Sequence, residues 1–126
     1  MAFNKDIKKL AMKNKNFRKV LSTAKNSQIV VMSLRPKEDI GMEVHKDVDQ
    51  ILVFLSGTGE AKVGGVKSRI KKDSIVHVPM GTWHNFTNTG KSTMKLFTAY
   101  SPPEHKPGTV HRTKADAVKA HEKEND

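Results

Sequence analysis

The stretch Gly41–Gly59, GMEVHKDVDQILVFLSGTG, carries the pattern from which the fold follows. Glu43 and His45 stand two apart on a segment of extended character, so their side chains point to one face. A polar turn at Lys46–Asp49 follows, and Gln50 opens the next strand. Counting by two from Gln50 puts Leu52 and Phe54 on one face and Ile51, Val53 and Leu55 on the other. Both faces are apolar, as in a strand inside a two-layer structure. An amide at the mouth of such a strand needs a partner, because burying it alone costs on the order of 2 kcal/mol. A metal ion would be such a partner.

Further on, Pro79–Asn88, PMGTWHNFTN, supplies another histidine. A Pro-x-Gly turn starts a strand on which His84, Phe86 and Asn88 share one face and Trp83, Asn85 and Thr87 the other. Around these stretches the chain reads as many short strands. Phe17–Leu21 and Gln28–Leu34 come first. Met42–His45, Gln50–Leu55, Glu60–Val63, Val66–Ile70, Ser74–Val78, His84–Asn88 and Met94–Tyr100 follow the polar break at Arg35–Asp39. Gly64-Gly65 is a two-residue hairpin signal. Short strands at close, even spacing predict a sandwich or barrel.

Two helices flank the strands. Residues 4–13 place Phe3, Ile7, Leu10 and Ala11 on one stripe, with Asn4 as the expected N-cap and Asp6 in the first turn. After Tyr100 the segment SPPEHKPGTVH is Pro-rich and cannot feed a central strand. Thr113 to about His121 forms a terminal helix with Thr113 as N-cap, and the final EKEND is expected to fray. The division is residues 1–27 as leading helix and strand, 28–100 as the barrel and 101–126 as the tail, within one domain.

Composition narrows the function. The 126 residues include no cysteine, which excludes disulfides and thiolate metal sites and fits a reducing cytoplasm. Mean hydropathy is −0.59, no apolar run is long enough to span a bilayer, and MAFNKDIKKL has no apolar core of a secretory signal. The net charge is +10, and residues 1–40 alone carry ten basic against three acidic residues. Such an excess suits a polyanion. The Lys-rich segment has no aromatic stacking platform beyond Phe3 and Phe17, so a solvated surface is expected and nucleic acid is disfavoured.

The two stretches resemble the paired signature motifs of the cupin superfamily. The second matches at Pro79, Gly81, His84 and Asn88. The first matches in spacing, with His45 at the second histidine position and Gly57 seven residues after Gln50. Glu43 stands where the first His usually is, Gln50 where the Glu usually is, and Lys37 and Asp73 where each motif usually opens with Gly. The resemblance covers about residues 28–100. It implies an all-β double-stranded β-helix, here with a short helix at each end, and a metal held by Glu43, His45, Gln50 and His84. The usual three imidazoles and one carboxylate become two imidazoles, one carboxylate and one neutral amide. Mixed N and O donors suit Zn, Fe, Mn, Co or Ni and argue against Cu(I).

At most four protein ligands leave an octahedral ion open to water or substrate. The resemblance implies a small organic or sugar-like ligand, a metal-dependent isomerase, epimerase or oxygenase, and a homodimer. Its alternative is a non-catalytic binding or sensing domain, toward which Gln50 leans. No residue stands out as general base. His77, between Val76 and Val78, reads as a packed or edge histidine. Trp83 reads as structural and Tyr100 as core. His105 and His111 are expected in solvent, unless the tail folds over the barrel mouth.

Overall fold

The alternation of apolar and polar side chains sorts residues 2–124, those the computed structural model describes, into nine strands between two helices. In chain order these are α1 (Ile7–Lys13), β1 (Arg18–Thr23), β2 (Gln28–Leu34), β3 (Asp49–Ser56) and β4 (Gly59–Val63). Then come β5 (Val66–Ile70), β6 (Ile75–Val78), β7 (His84–Asn88), β8 (Met94–Ser101), β9 (Val110–His111) and α2 (Lys114–Glu124). One sheet has six strands in the order β6-β3-β8-β2-β1-β9, and the other three in the order β5-β4-β7. Every pairing is antiparallel. The inner faces of the sheets meet in one core, where Met32, Leu34, Leu52, Phe54, Phe86, Met94 and Leu96 are fully buried. This is the expected double-stranded β-helix with a short helix at each end.

Some local expectations are corrected and others hold. The first helix begins at Ile7, and its N-cap is Asp6, whose Oδ1 accepts from Lys9 N at 3.0 Å; Asn4 precedes the helix. Asp6 wins because its carboxylate reaches the free N–H groups of the first turn. Met42–His45 forms no strand. Residues 39–43 run beside β7 through single bridges, Asp39 to Thr87 and Glu43 to His84, because the turn at Gly41 (φ +106°) interrupts a regular ladder. The tail holds the two-residue strand β9, which pairs with the edge of β1, a position Pro-rich flanks permit. Thr113 caps α2 through Asp116 N, 3.1 Å, and the helix continues through Glu124. The last two residues of EKEND lie outside the described residues.

The turns explain the motif residues. Gly57 has φ +91°, and a Cβ there would stand 3.0 Å from the Met94 backbone. Asn88 is fully buried: its amide donates to the carbonyls of Leu34 and Ser92, and its Oδ1 accepts from Gly90 N. Lys37 and Asp73, the two departures from glycine, have φ of 71° and 70°. They keep the left-handed backbone that glycine would adopt freely, at a cost of about 1 kcal/mol each.

Candidate metal centre

Sheet register builds the site. Gln28 on β2, Tyr100 on β8 and Gln50 on β3 lie directly opposite one another, forming one polar row at the barrel mouth. All three are at most 2% exposed. From the smaller sheet, β7 opens with His84. The bridge between Glu43 and His84, with both backbone hydrogen bonds made at 2.9–3.0 Å, sets these two side chains side by side. His45 follows two residues on, its backbone O accepting from Gly81 N at 2.7 Å.

The ligand atoms of Glu43, His45 and His84 all lie within 4.8 Å of one another, which makes a candidate three-residue metal site. Glu43 Oε1 is 3.4 Å from His45 Nε2 and 3.6 Å from His84 Nε2. Donors bound about 2.0–2.2 Å from a shared ion stand roughly 3–3.5 Å apart, so these spacings suit one. Three buried atoms lack a hydrogen-bond partner here: His45 Nε2, His84 Nε2 and Gln50 Oε1. In each residue the other polar atom is engaged. His84 Nδ1 lies 2.9 Å from Thr82 O, His45 Nδ1 lies 3.3 Å from Glu104 Oε1, and Gln50 Nε2 donates to Thr98 Oγ1 at 3.1 Å. Outer partners of this kind fix the tautomer and aim the free atom at a metal. The residues present therefore fit a metal ion.

Electrostatics agree with the geometry. Burial raises the Glu43 carboxyl, but His45 and His84 outweigh it and hold it well below the usual carboxylate range. Burial lowers His45, but Glu104 and Glu43 outweigh it, and its pKa is pushed up to about 9. Burial pushes the Tyr100 phenol well above its usual value. The Tyr100 ring packs edge-on against both His45 and His105, with centroids 5.9 and 5.2 Å away.

A cavity of about 540 Å³ opens onto Glu43 and His45. The tail folds over the mouth: Glu104, His105, His111 and the Lys114, Ala117 and Val118 face of α2 all line it. His105 and His111 are therefore half-buried on the cavity wall, which corrects their expected exposure. The cause is Gln28. Its Oε1 accepts from Glu104 N and His105 N at 3.2 and 3.0 Å, while its Nε2 donates to His105 O at 2.7 Å and Thr23 Oγ1 at 2.9 Å. Trp83 is also corrected: it is 58% exposed at the cavity rim, outside the core. His77 sits exposed on edge strand β6. Gln28, Glu104 and Arg18 escaped sequence reasoning. Gln28 carried a legible signal, an amide opening an apolar strand as Gln50 does.

Residues 30–100 match the family model described as a cupin domain. The chain belongs to the cupin family. This cupin is 46% identical over 121 residues to the Bacillus subtilis (strain 168) protein YrkC, which is uncharacterized; the match covers 91% of this chain. It is 37% identical over 109 residues to a protein of Acanthamoeba polyphaga mimivirus, covering 83% of this chain. The chain spans 65% and 68% of the lengths of these two relatives. A crystal structure of a Bacillus halodurans protein superposes with TM-score 0.93 at 37% identity, covering 94% of this cupin and 95% of that chain. KdgF from a Halomonas species shares the fold, with TM-score 0.64 at 20% identity, over 69% of this chain and 78% of that one.

Proposed function

We propose that this cupin holds a divalent transition metal on Glu43, His45, Gln50 and His84 and acts on a small organic ligand in the cavity above it. The observation that supports it most is the pair of partnerless buried atoms His45 Nε2 and His84 Nε2, 3.4 and 3.6 Å from Glu43 Oε1; Gln50 Oε1, also buried without a partner, supports its place as a fourth ligand. When bound, the ion supplies a Lewis acid for a carbonyl or enolate-type oxygen. Glu104 and Thr82 hold the imidazoles in their donor form, and the apolar walls at Phe17, Ile40 and Val118 exclude water. The proposed reaction class is a metal-dependent isomerisation or an oxygenation, and dioxygen uptake in an oxygen electrode separates the two. The absence of cysteine supports a cytoplasmic protein, and no described helix is long and apolar enough to cross a membrane.

Elemental analysis of protein purified without a histidine tag tests the metal. A first-row divalent ion near one equivalent, lost in His84→Ala with the fold retained, is the expected result. Unchanged metal content in His84→Ala would overturn the site. A second reading, a non-catalytic binding domain, is favoured by one feature: the neutral Gln50 amide is a weaker donor than the carboxylate usual in cupins.

A further inference from the structure

The cavity wall carries a second set of buried polar groups besides the metal-type cluster. Arg18 opens β1 on its inner face, opposite His111 of β9. Its Nη1 donates toward His111 Nδ1 at 3.4 Å, and its guanidinium carbon sits 5.4 Å from the Phe17 ring centroid. The side chain is only 7% exposed, and its Nε has no hydrogen-bond partner. No carboxylate of the described residues lies within ion-pair distance of it: Glu43 and Glu104 are engaged with His45 and His84, and Asp39 with Lys114. His105, also on the cavity wall, has a buried Nε2 without a partner.

A buried guanidinium without an ion-pair partner carries a desolvation cost that one long hydrogen bond to His111 and the Phe17 ring contact repay only in part. We propose that Arg18, with His105 as an accessory hydrogen-bond partner, receives the carboxylate of a small organic acid that fills the cavity. The planar fork of a guanidinium binds a carboxylate through two parallel hydrogen bonds. One fixed cation matches a monoanion better than a phosphate dianion. Burial, aided by Arg18 itself, holds His105 neutral, with its pKa lowered to about 3, so it adds no second charge. The same wall is apolar at Phe17, Ile40, Ala117 and Val118. The volume of about 540 Å³ suits a small molecule. The ligand class is thus an amphiphilic carboxylate. The inference deepens the small-ligand reading and uses its cavity, but does not need the metal.

Calorimetric titration of the full chain, both metal-free and zinc-loaded, tests it with benzoate and hexanoate. Benzamide and hexanamide serve as uncharged matches. Expected are binding of at least one acid to both forms, at least tenfold weaker binding of its amide, and at least tenfold loss in Arg18→Gln with zinc content unchanged. Arg18→Lys is expected to retain part of the affinity. The acid-to-amide comparison on the unaltered protein needs no variant to fold. Acid binding that requires zinc and ignores Arg18→Gln would place the carboxylate on the metal and overturn the proposal. So would equal binding of acid and amide, or no binding of either acid. A chain that takes up no metal yet binds acid through Arg18 would overturn the metal centre and leave this inference standing.

Discussion

In the proposed centre Gln50 sets how strongly an ion is held. Its Oε1 is buried without a partner while its Nε2 is fixed on Thr98, so the oxygen is aimed but uncharged. Gln50→Glu adds a second anion at the same place, and the expected outcome is metal affinity at least tenfold tighter in a chelator competition. Looser binding would show that Gln50 Oε1 does not face the ion. His45 yields a pH prediction for the metal-free protein. Its folded pKa of about 9 lies above the unfolded value of 6.5. The resulting stability is therefore complete below about pH 6.5 and is lost as pH rises through 9. It amounts to about 3 kcal/mol. The melting temperature of metal-free protein should fall across that window, while the metal-loaded protein, whose His45 has already given up the proton, should not follow it. At this scale the sequence was informative where side-chain chemistry was odd for its place. Histidines in frame and an amide in an apolar strand were legible. Arg18 was not, since one arginine among the many basic residues of the leading segment looks like surface charge until a sheet buries it.

Elements convert those residues into a site, and the least legible one is the tail. The strands β2, β5 and β7 were legible to the residue, β7 from its period-2 alternation, β2 from its apolar run and β5 from the Gly64-Gly65 hairpin signal before it. Nothing periodic marks residues 101–109, so their path over the mouth depends on a distant contact, the Gln28 side chain with the backbone of Glu104 and His105. Lys114 adds a second tie by pairing with Asp39. Gln28→Leu should cost roughly 2–4 kcal/mol, since it strands two backbone N–H groups and a carbonyl. It should also weaken metal binding by about 10–100-fold, because Glu104 would no longer orient His45. Thermal melting and a metal titration measure the two effects. A stability loss with metal affinity intact would mean that the tail acts on the fold alone.

For the whole molecule the open element is association. The outer face of β3 and β6 carries Ile51 and Ile75, 38% and 67% exposed, and register sets Ile75 opposite Val53 and Ile51 opposite His77. Edge strand β6 leaves this apolar face beside an unpaired backbone edge, which invites a second copy. Two copies joined there would form the closed two-fold arrangement commonest among oligomers. Charge opposes it. Each copy carries +10, so joining two brings twenty excess positive charges into one particle. Salt screens that repulsion over a Debye length of about 10 Å at 0.1 M and leaves the apolar contact in place. A dimer joined at this face should therefore strengthen with added salt, whereas capture of a polyanion would weaken. Sedimentation equilibrium at low and moderate salt reads the sign directly. Ile75→Lys should give a monomer at both salt concentrations with an unchanged melting temperature, because Ile75 adds little to the core of its own chain. A dimer that persists in Ile75→Lys would move the contact to another face, and one that dissociates on adding salt would mean that charge, not this apolar strip, holds the copies together.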